Sequence, residues 1–187
     1  MSIEGVLLTG GASRRMGREK SRLLVDGEPV AERTARELGR FCERVTILGR
    51  EKLSGHHFLA DQDEFAGPLV ALSRFKPTAD MVFVASCDLP LFDGETVHLL
   101  HSLATAGSDA VVPEIGSHLQ PLCALYSPDS WTHISLEGEK KSLMSWLRSL
   151  KVRVVGEQEF VSAGISLKSL QSANTPNEWA TLMNLRN

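Results

Sequence analysis

The chain has 187 residues, 42% of them hydrophobic and 23% charged, which suits one α/β domain with a full core, residues 1–187 forming a single unit. A formal net charge of −3 argues against a general nucleic-acid binder, and the absence of a long apolar stretch argues against a membrane protein. Cys42, Cys87 and Cys123 are odd in number and lack a CxxC pair, so neither a disulfide framework nor a zinc site is suggested. With no signal peptide evident, the expected location is the cytoplasm.

In chain order, Gly5–Thr9 is predicted as a buried strand. It runs into a glycine pair, Gly10-Gly11, followed by four cations, Arg14, Arg15, Arg18 and Lys20. A helix over Pro29–Phe41 places Val30, Thr34, Leu38 and Phe41 on one face. Val45–Leu48 and Phe58–Ala60 are short strands, and Pro68 leads a helix over Leu69–Phe75. Met81–Ala85, five apolar residues in a row, is a buried strand, and a helix with Val97, Leu100 and Leu103 aligned begins near Gly94. Strands at Ala110–Val112 and Leu122–Tyr126 follow. Ser142–Leu150 is a helix with Leu143, Met144, Leu147 and Leu150 on one side. Val152–Val155 adds a strand, and Asn174–Glu178 opens a final helix with a capping box between Thr175 and Glu178 and Pro176 in its first turn. Strands alternating with helices predict an α/β, single-domain, three-layer Rossmann-like fold with a mostly parallel central sheet. In such sheets ligands bind at the carboxyl ends of the strands, where Gly10 and Asp88 both fall.

Strand, glycine turn and cationic arm together form a phosphate site. The glycines bring backbone N–H groups near a ligand and the Arg and Lys side chains supply charge for a polyanion, most simply the triphosphate of a nucleotide. A P-loop is excluded because Arg18, not lysine, follows Gly17, and the dinucleotide fingerprint does not fit Gly10-Gly11-Ala12-Ser13-Arg14. The charge is local: residues 1–50 hold 10 Lys/Arg against 7 Asp/Glu, leaving 10 against 16 in the remainder. That distribution suits a small anionic substrate. His98 and His101 can share a helix face, but without a third ligand they do not make a metal site.

The run GGASRRMGREK resembles the signature loop of nucleotidyltransferases that join an NTP to a phosphorylated acceptor, and within them the molybdenum cofactor guanylyltransferases of the MobA family. The segments Gly67-Pro68-Leu69, Cys87-Asp88-Leu89-Pro90, QPLCALY from Gln120 and NTPNE from Asn174 follow in the family's order. The resemblance implies transfer of GMP from Mg²⁺-GTP to the phosphate of molybdenum-molybdopterin, yielding the guanine dinucleotide cofactor and pyrophosphate. It implies Arg15, Lys20 and Asp88 as catalytic residues and Asp88 as the ligand of Mg²⁺. Leu8, Thr9, Gly10, Gly11, Lys20, Asp61 and Asp88 would bind the nucleotide, and Gln120 and Asn174 would face the acceptor. Arg14 and Arg18 are left between site and solvent, and Asp63 and Glu64 are read as solvated.

Three positions depart from the family pattern. Ser172 stands where the family has Asn, Thr9 where Ala is commoner, and Leu48-Gly49 where some relatives place an Asn. The implied form is a monomer making transient contacts with cofactor-delivery proteins or molybdoenzymes. The alternatives are a sibling enzyme using CTP or acting on a sugar or alcohol phosphate, and a non-catalytic nucleotide- or cofactor-binding protein on the same fold.

Overall fold

The computed structural model describes residues 1–10, 19–61, 67–136 and 142–185. Its centre is a mixed sheet. Across it lie β5 (His57–Ala60), β4 (Arg44–Gly49), β1 (Ile3–Leu8), β6 (Met81–Ser86), β9 (Cys123–Tyr126), β7 (Ala110–Ile115) and β10 (Val152–Gly156), with β8 (His118–Leu119) paired to the end of β7. β1, β4, β5 and β6 are mutually parallel, as are β7 and β10. β9 alone among the central strands runs against both of its neighbours. The reversal follows from its connection. After β7 the chain turns through Gly116 and Ser117, both at positive φ, pairs back as β8, and re-enters the sheet without a helical crossover, which only an antiparallel strand permits.

Side chains alternate across β1 and sort the core into two layers. Ile3 and Leu7 join Ile47, Phe83 and Ala85 beneath α1 (Val30–Gly39), α3 (Glu95–Ser102) and α5 (Glu157–Ser162). Val6 and Leu8 join Leu48, Val82 and Val84 beneath α2 (Pro68–Arg74) and α4 (Leu143–Arg148). α6 (Pro176–Asn184) adds Trp179 and Met183 to the first layer. The three-layer expectation holds. A small hairpin of β2 (Leu24–Val25) and β3 (Glu28–Pro29) turns through Asp26 and Gly27, both at positive φ.

One expected stripe is corrected. In α4 Met144 is 39% exposed, whereas Trp146 is buried with Leu147 and Leu150. Leu143, Trp146, Leu147 and Leu150 follow the i, i+3, i+4, i+7 spacing of one helix face, and Met144 falls beside it. Trp146 stacks on Tyr126 at 4.7 Å, and Trp131 meets the Trp146 ring edge-on at 5.6 Å. Each polar tip is satisfied: Tyr126 donates to the Pro121 carbonyl, Trp131 to Leu72 and Trp146 to Ser130. The burial of these aromatic surfaces pins α4 and the 3-10 turn Pro128–His133 to the sheet.

At the amino edge of the sheet Glu4 is 2% exposed. Its carboxylate accepts from the Thr78 amide at 2.6 Å, the Ala79 amide at 3.2 Å and the Arg44 guanidinium at 2.5 Å. Burial alone would raise its pKa, but these donors together outweigh burial and hold the carboxyl below its ordinary value.

Candidate active site

The register of the parallel strands assembles the opposite, carboxyl edge. Leu8 pairs with Leu48 on one side and with Ser86 on the other, so Thr9-Gly10, Gly49-Arg50 and Cys87-Asp88 leave the sheet side by side. Ala60 pairs with Gly49, which brings Asp61 into the same row. Backbone bonds extend the ladder past the strands: the Thr9 amide donates to Leu48 at 2.9 Å, that of Cys87 to Leu8 at 3.3 Å and that of Asp61 to Gly49 at 2.8 Å.

Glycines sit where these segments converge. The space that a β-carbon on Gly10 would take is filled by the Asp61 carboxylate, whose side chain can turn aside. A β-carbon on Gly49 would lie 2.1 Å from Thr9 Oγ1 and 3.0 Å from the Gly10 nitrogen. Thr9 and Gly49 therefore interlock: the Thr9 hydroxyl, which donates to the Leu48 carbonyl at 3.3 Å, fills the space that Gly49 leaves. Gly67 has a different reason to be glycine, since its φ of 93° starts α2 in a conformation that side chains disfavour.

Asp88 is half-buried just beyond β6. The Ser86 hydroxyl donates to its Oδ1, and its main-chain carbonyl accepts from Ala173 at 2.8 Å. That bond fastens the segment before α6 to the loop that follows β6. Lys20 opens the 3-10 turn Lys20–Arg22, and its Nζ donates to Asn174 Oδ1 at 2.7 Å. Asn174 Nδ2 donates in turn to Ser172 Oγ at 3.3 Å. The capping box forms as expected: Thr175 Oγ1 accepts from the Glu178 amide, and the Glu178 carboxylate accepts from the amides of Thr175 at 3.1 Å and Asn174 at 2.6 Å.

The charges of Asp88 and Lys20 meet at the buried Cys87 thiol. Burial pushes its pKa up, Asp88 pushes it further and Lys20 opposes. Cys123, at the start of β9, is raised by burial and then by Asp88. Both cysteines stay protonated thiols in the core beneath the site, without nucleophilic character. Beside Gly10 opens a cavity of about 290 Å³, lined by the apolar Pro29, Ala31 and Leu53, by the cations Lys20, Arg22, Arg50 and Lys52, and by Glu19, Glu32 and Glu51. Arg22 is braced there by Glu51, whose carboxylate accepts from its Nε at 2.9 Å. Apolar and charged groups share this lining, as a nucleotide with its ring system and its anionic end requires.

Leu8, Thr9, Gly10, Lys20, Asp61, Asp88 and Asn174 thus gather at one edge. Gly11 and Arg15, with Arg14 and Arg18, lie outside the described residues. Gln120 sits just before β9, next to β6. Its amide donates to the His118 carbonyl at 3.4 Å, and among the described residues no hydrogen bond links it to Asp88, Lys20 or Asn174. The sequence reading missed Ser86, whose two-residue spacing from Asp88 was the available signal. It also missed the roles of Gly49 and Arg50. No cluster of three or more His, Cys, Asp or Glu side chains forms a metal cage among the described residues, and none of their helices is long and apolar enough to cross a membrane.

The MobA-like NTP transferase domain matches residues 5–166. The chain belongs to that family. It is a nucleotidyltransferase by family and by fold. A relative from Pelotomaculum thermopropionicum, named "Probable molybdenum cofactor guanylyltransferase", is 30% identical over 95% of this chain and 90% of its own. One of the same name from Bacillus subtilis is 36% identical over 67% of each chain. The crystal structure of molybdopterin-guanine dinucleotide biosynthesis protein A from Archaeoglobus fulgidus superposes with a TM-score of 0.79 at 22% identity, covering 97% of both chains, and so shares the fold.

Proposed function

We propose that this nucleotidyltransferase transfers GMP from GTP to the phosphate of molybdenum-bound molybdopterin, releasing pyrophosphate and forming the guanine dinucleotide cofactor. The observation that carries the reading is the meeting of Lys20, Asp88 and Asn174 at the carboxyl edge of β1 and β6, beside a cavity lined by apolar and charged side chains. In the reaction an acceptor phosphate oxygen bonds to the α-phosphorus of GTP. The bond from that phosphorus to the α–β bridging oxygen breaks, and pyrophosphate leaves with the electron pair.

Little covalent work falls to the protein, so alignment and charge stabilisation supply the rate. Backbone at Leu8, Thr9, Gly10 and Gly11 lines the nucleotide, and Lys20 and Arg15 carry charge for the departing phosphates. Asp61, folded over Gly10, belongs to the nucleotide side, and Gln120 to the acceptor side. The donor set also fits Mg²⁺: Asp88 offers a half-buried carboxylate, and Mg²⁺ is commonly held by one or two carboxylates with substrate phosphates completing its shell. Bound there, the ion would neutralise phosphate charge. Gly10-Gly11 and Cys87 before Asp88 favour GTP over CTP. The guanylyltransferase names of the relatives agree. A pyrophosphate-release assay with GTP, CTP and ATP, run with and without molybdenum cofactor as acceptor, tests the reading. Release that needs GTP and the acceptor supports it; preference for CTP, or indifference to the acceptor, overturns it.

A further inference from the structure

We propose that Asn174 is a positioning residue for the nucleotide half of the site, holding the Lys20 ammonium over the phosphate-binding edge, with Ser172 holding Asn174 in turn. The inference rests on the reading of Lys20 as a triphosphate ligand, and it assigns Asn174 a role on the opposite side of the reaction from the acceptor contact implied by its motif.

Three observations carry it. Lys20 Nζ and Asn174 Oδ1 are 2.7 Å apart across 154 residues of sequence. An ammonium group only donates, so the amide oxygen must face Lys20, and it consumes one of three donors while leaving two for phosphate oxygens. The amide is then fixed at its other end, where Nδ2 donates to Ser172 Oγ at 3.3 Å. A serine can accept there, so the departure from the family's Asn leaves Asn174 with a partner. Finally, the backbone beneath it is immobilised on both sides: Ala173 donates to the Asp88 carbonyl, and Asn174 and Thr175 both donate to Glu178.

The choice of an amide matters. A neutral oxygen orients the lysine without cancelling its charge, whereas an isosteric carboxylate would pair with the ammonium and take it from the triphosphate. A freed lysine, by contrast, keeps its charge and loses only its preset rotamer. Asn174→Asp is therefore more harmful than Asn174→Ala, and both act on the outer phosphates.

The test is calorimetric titration of the full chain with GTP and with GMP in the presence of Mg²⁺, using wild type, Lys20→Ala, Asn174→Ala, Asn174→Asp and Ser172→Ala, with circular dichroism on each. Asn174→Asp should weaken GTP by about tenfold or more, and Asn174→Ala by about threefold. Ser172→Ala should follow in the same direction. GMP affinity should change by less than about twofold throughout, because the charge lost lies under the outer phosphates. In a Lys20→Ala background, Asn174→Ala should add nothing further. Wild-type GTP affinity in both Asn174 variants, beside a weakened Lys20→Ala, overturns the positioning role and leaves the nucleotide reading intact. Equal losses for GTP and GMP mark a merely structural role and also overturn it. Wild-type GTP affinity in Lys20→Ala removes the triphosphate role of Lys20 itself.

Discussion

The two edges of the central sheet use the same residue types to opposite ends. At the amino edge Glu4 is buried, and every donor around it is supplied by the protein: Arg44, the Thr78 amide and hydroxyl, and the Ala79 amide. At the carboxyl edge Asp61, Asp88 and Lys20 are half-exposed, and among the described residues Asp88 accepts from the Ser86 hydroxyl and Lys20 donates to Asn174. A charge whose shell is completed by its own chain is part of the scaffold. Partly exposed charges beyond the ends of buried strands are where a ligand would complete the shell.

Substitutions can break this contrast. Asp88→Asn should lower pyrophosphate release by about 10³-fold in steady-state assays, while its melting temperature stays at the wild-type value, because the fold uses the Asp88 carbonyl and not its charge. Glu4→Ala should do the reverse. About 3 kcal/mol of stability is lost in urea denaturation, since buried amides and a guanidinium lose their acceptor, while turnover per folded molecule is unchanged. A carboxyl held below its ordinary value contributes stability that is complete above the unfolded pKa, near 4.5, and lost as the pH falls through the folded one. The acid limb of the wild-type stability curve should therefore flatten in the Glu4 variant. Gly49→Ala should cost about 2 kcal/mol, since its β-carbon would meet the Thr9 hydroxyl and the Gly10 nitrogen. Pairing it with Thr9→Ala should recover only part of that loss in denaturant stability, because the Gly10 nitrogen stays in the way. Thr175→Ala, the smallest effect, should cost about 1 kcal/mol by removing the cap of α6.

Where apolar pattern and local chemistry agree, the sequence was readable. β1 and β6 are continuous apolar runs, so Gly10 and Asp88 could be put at strand ends, and Thr175, Pro176 and Glu178 announced α6 through capping chemistry. Strand direction was not readable in the same way. Cys123–Tyr126 is apolar whichever way it runs, and its reversal depends on the β7–β8 turn. The β2–β3 hairpin did carry an Asp26-Gly27 signal, but strands of two residues leave no periodicity to support it. α5 hides its single buried side chain, Phe160, among polar neighbours. In α4, helical spacing puts Trp146 in the stripe and Met144 beside it, and ring stacking on Tyr126 adds to the burial of Trp146. The contacts that complete the site join residues far apart in the chain, such as Lys20 to Asn174, and no local pattern encodes them.

The aromatic cluster on the α4 face has an optical consequence. Of the chain's three tryptophans, Trp131 and Trp146 lie together around Tyr126. Trp179 stands apart, in the first turns of α6, with its amide on the Thr175 carbonyl. Intrinsic fluorescence therefore divides into two signals of separate origin. The paired indoles report whether the hydrophobic layer is intact, and the third reports the helix that begins beside Asn174. With Trp131 and Trp146 replaced by phenylalanine, the remaining emission reports the packing of α6 against the first layer alone.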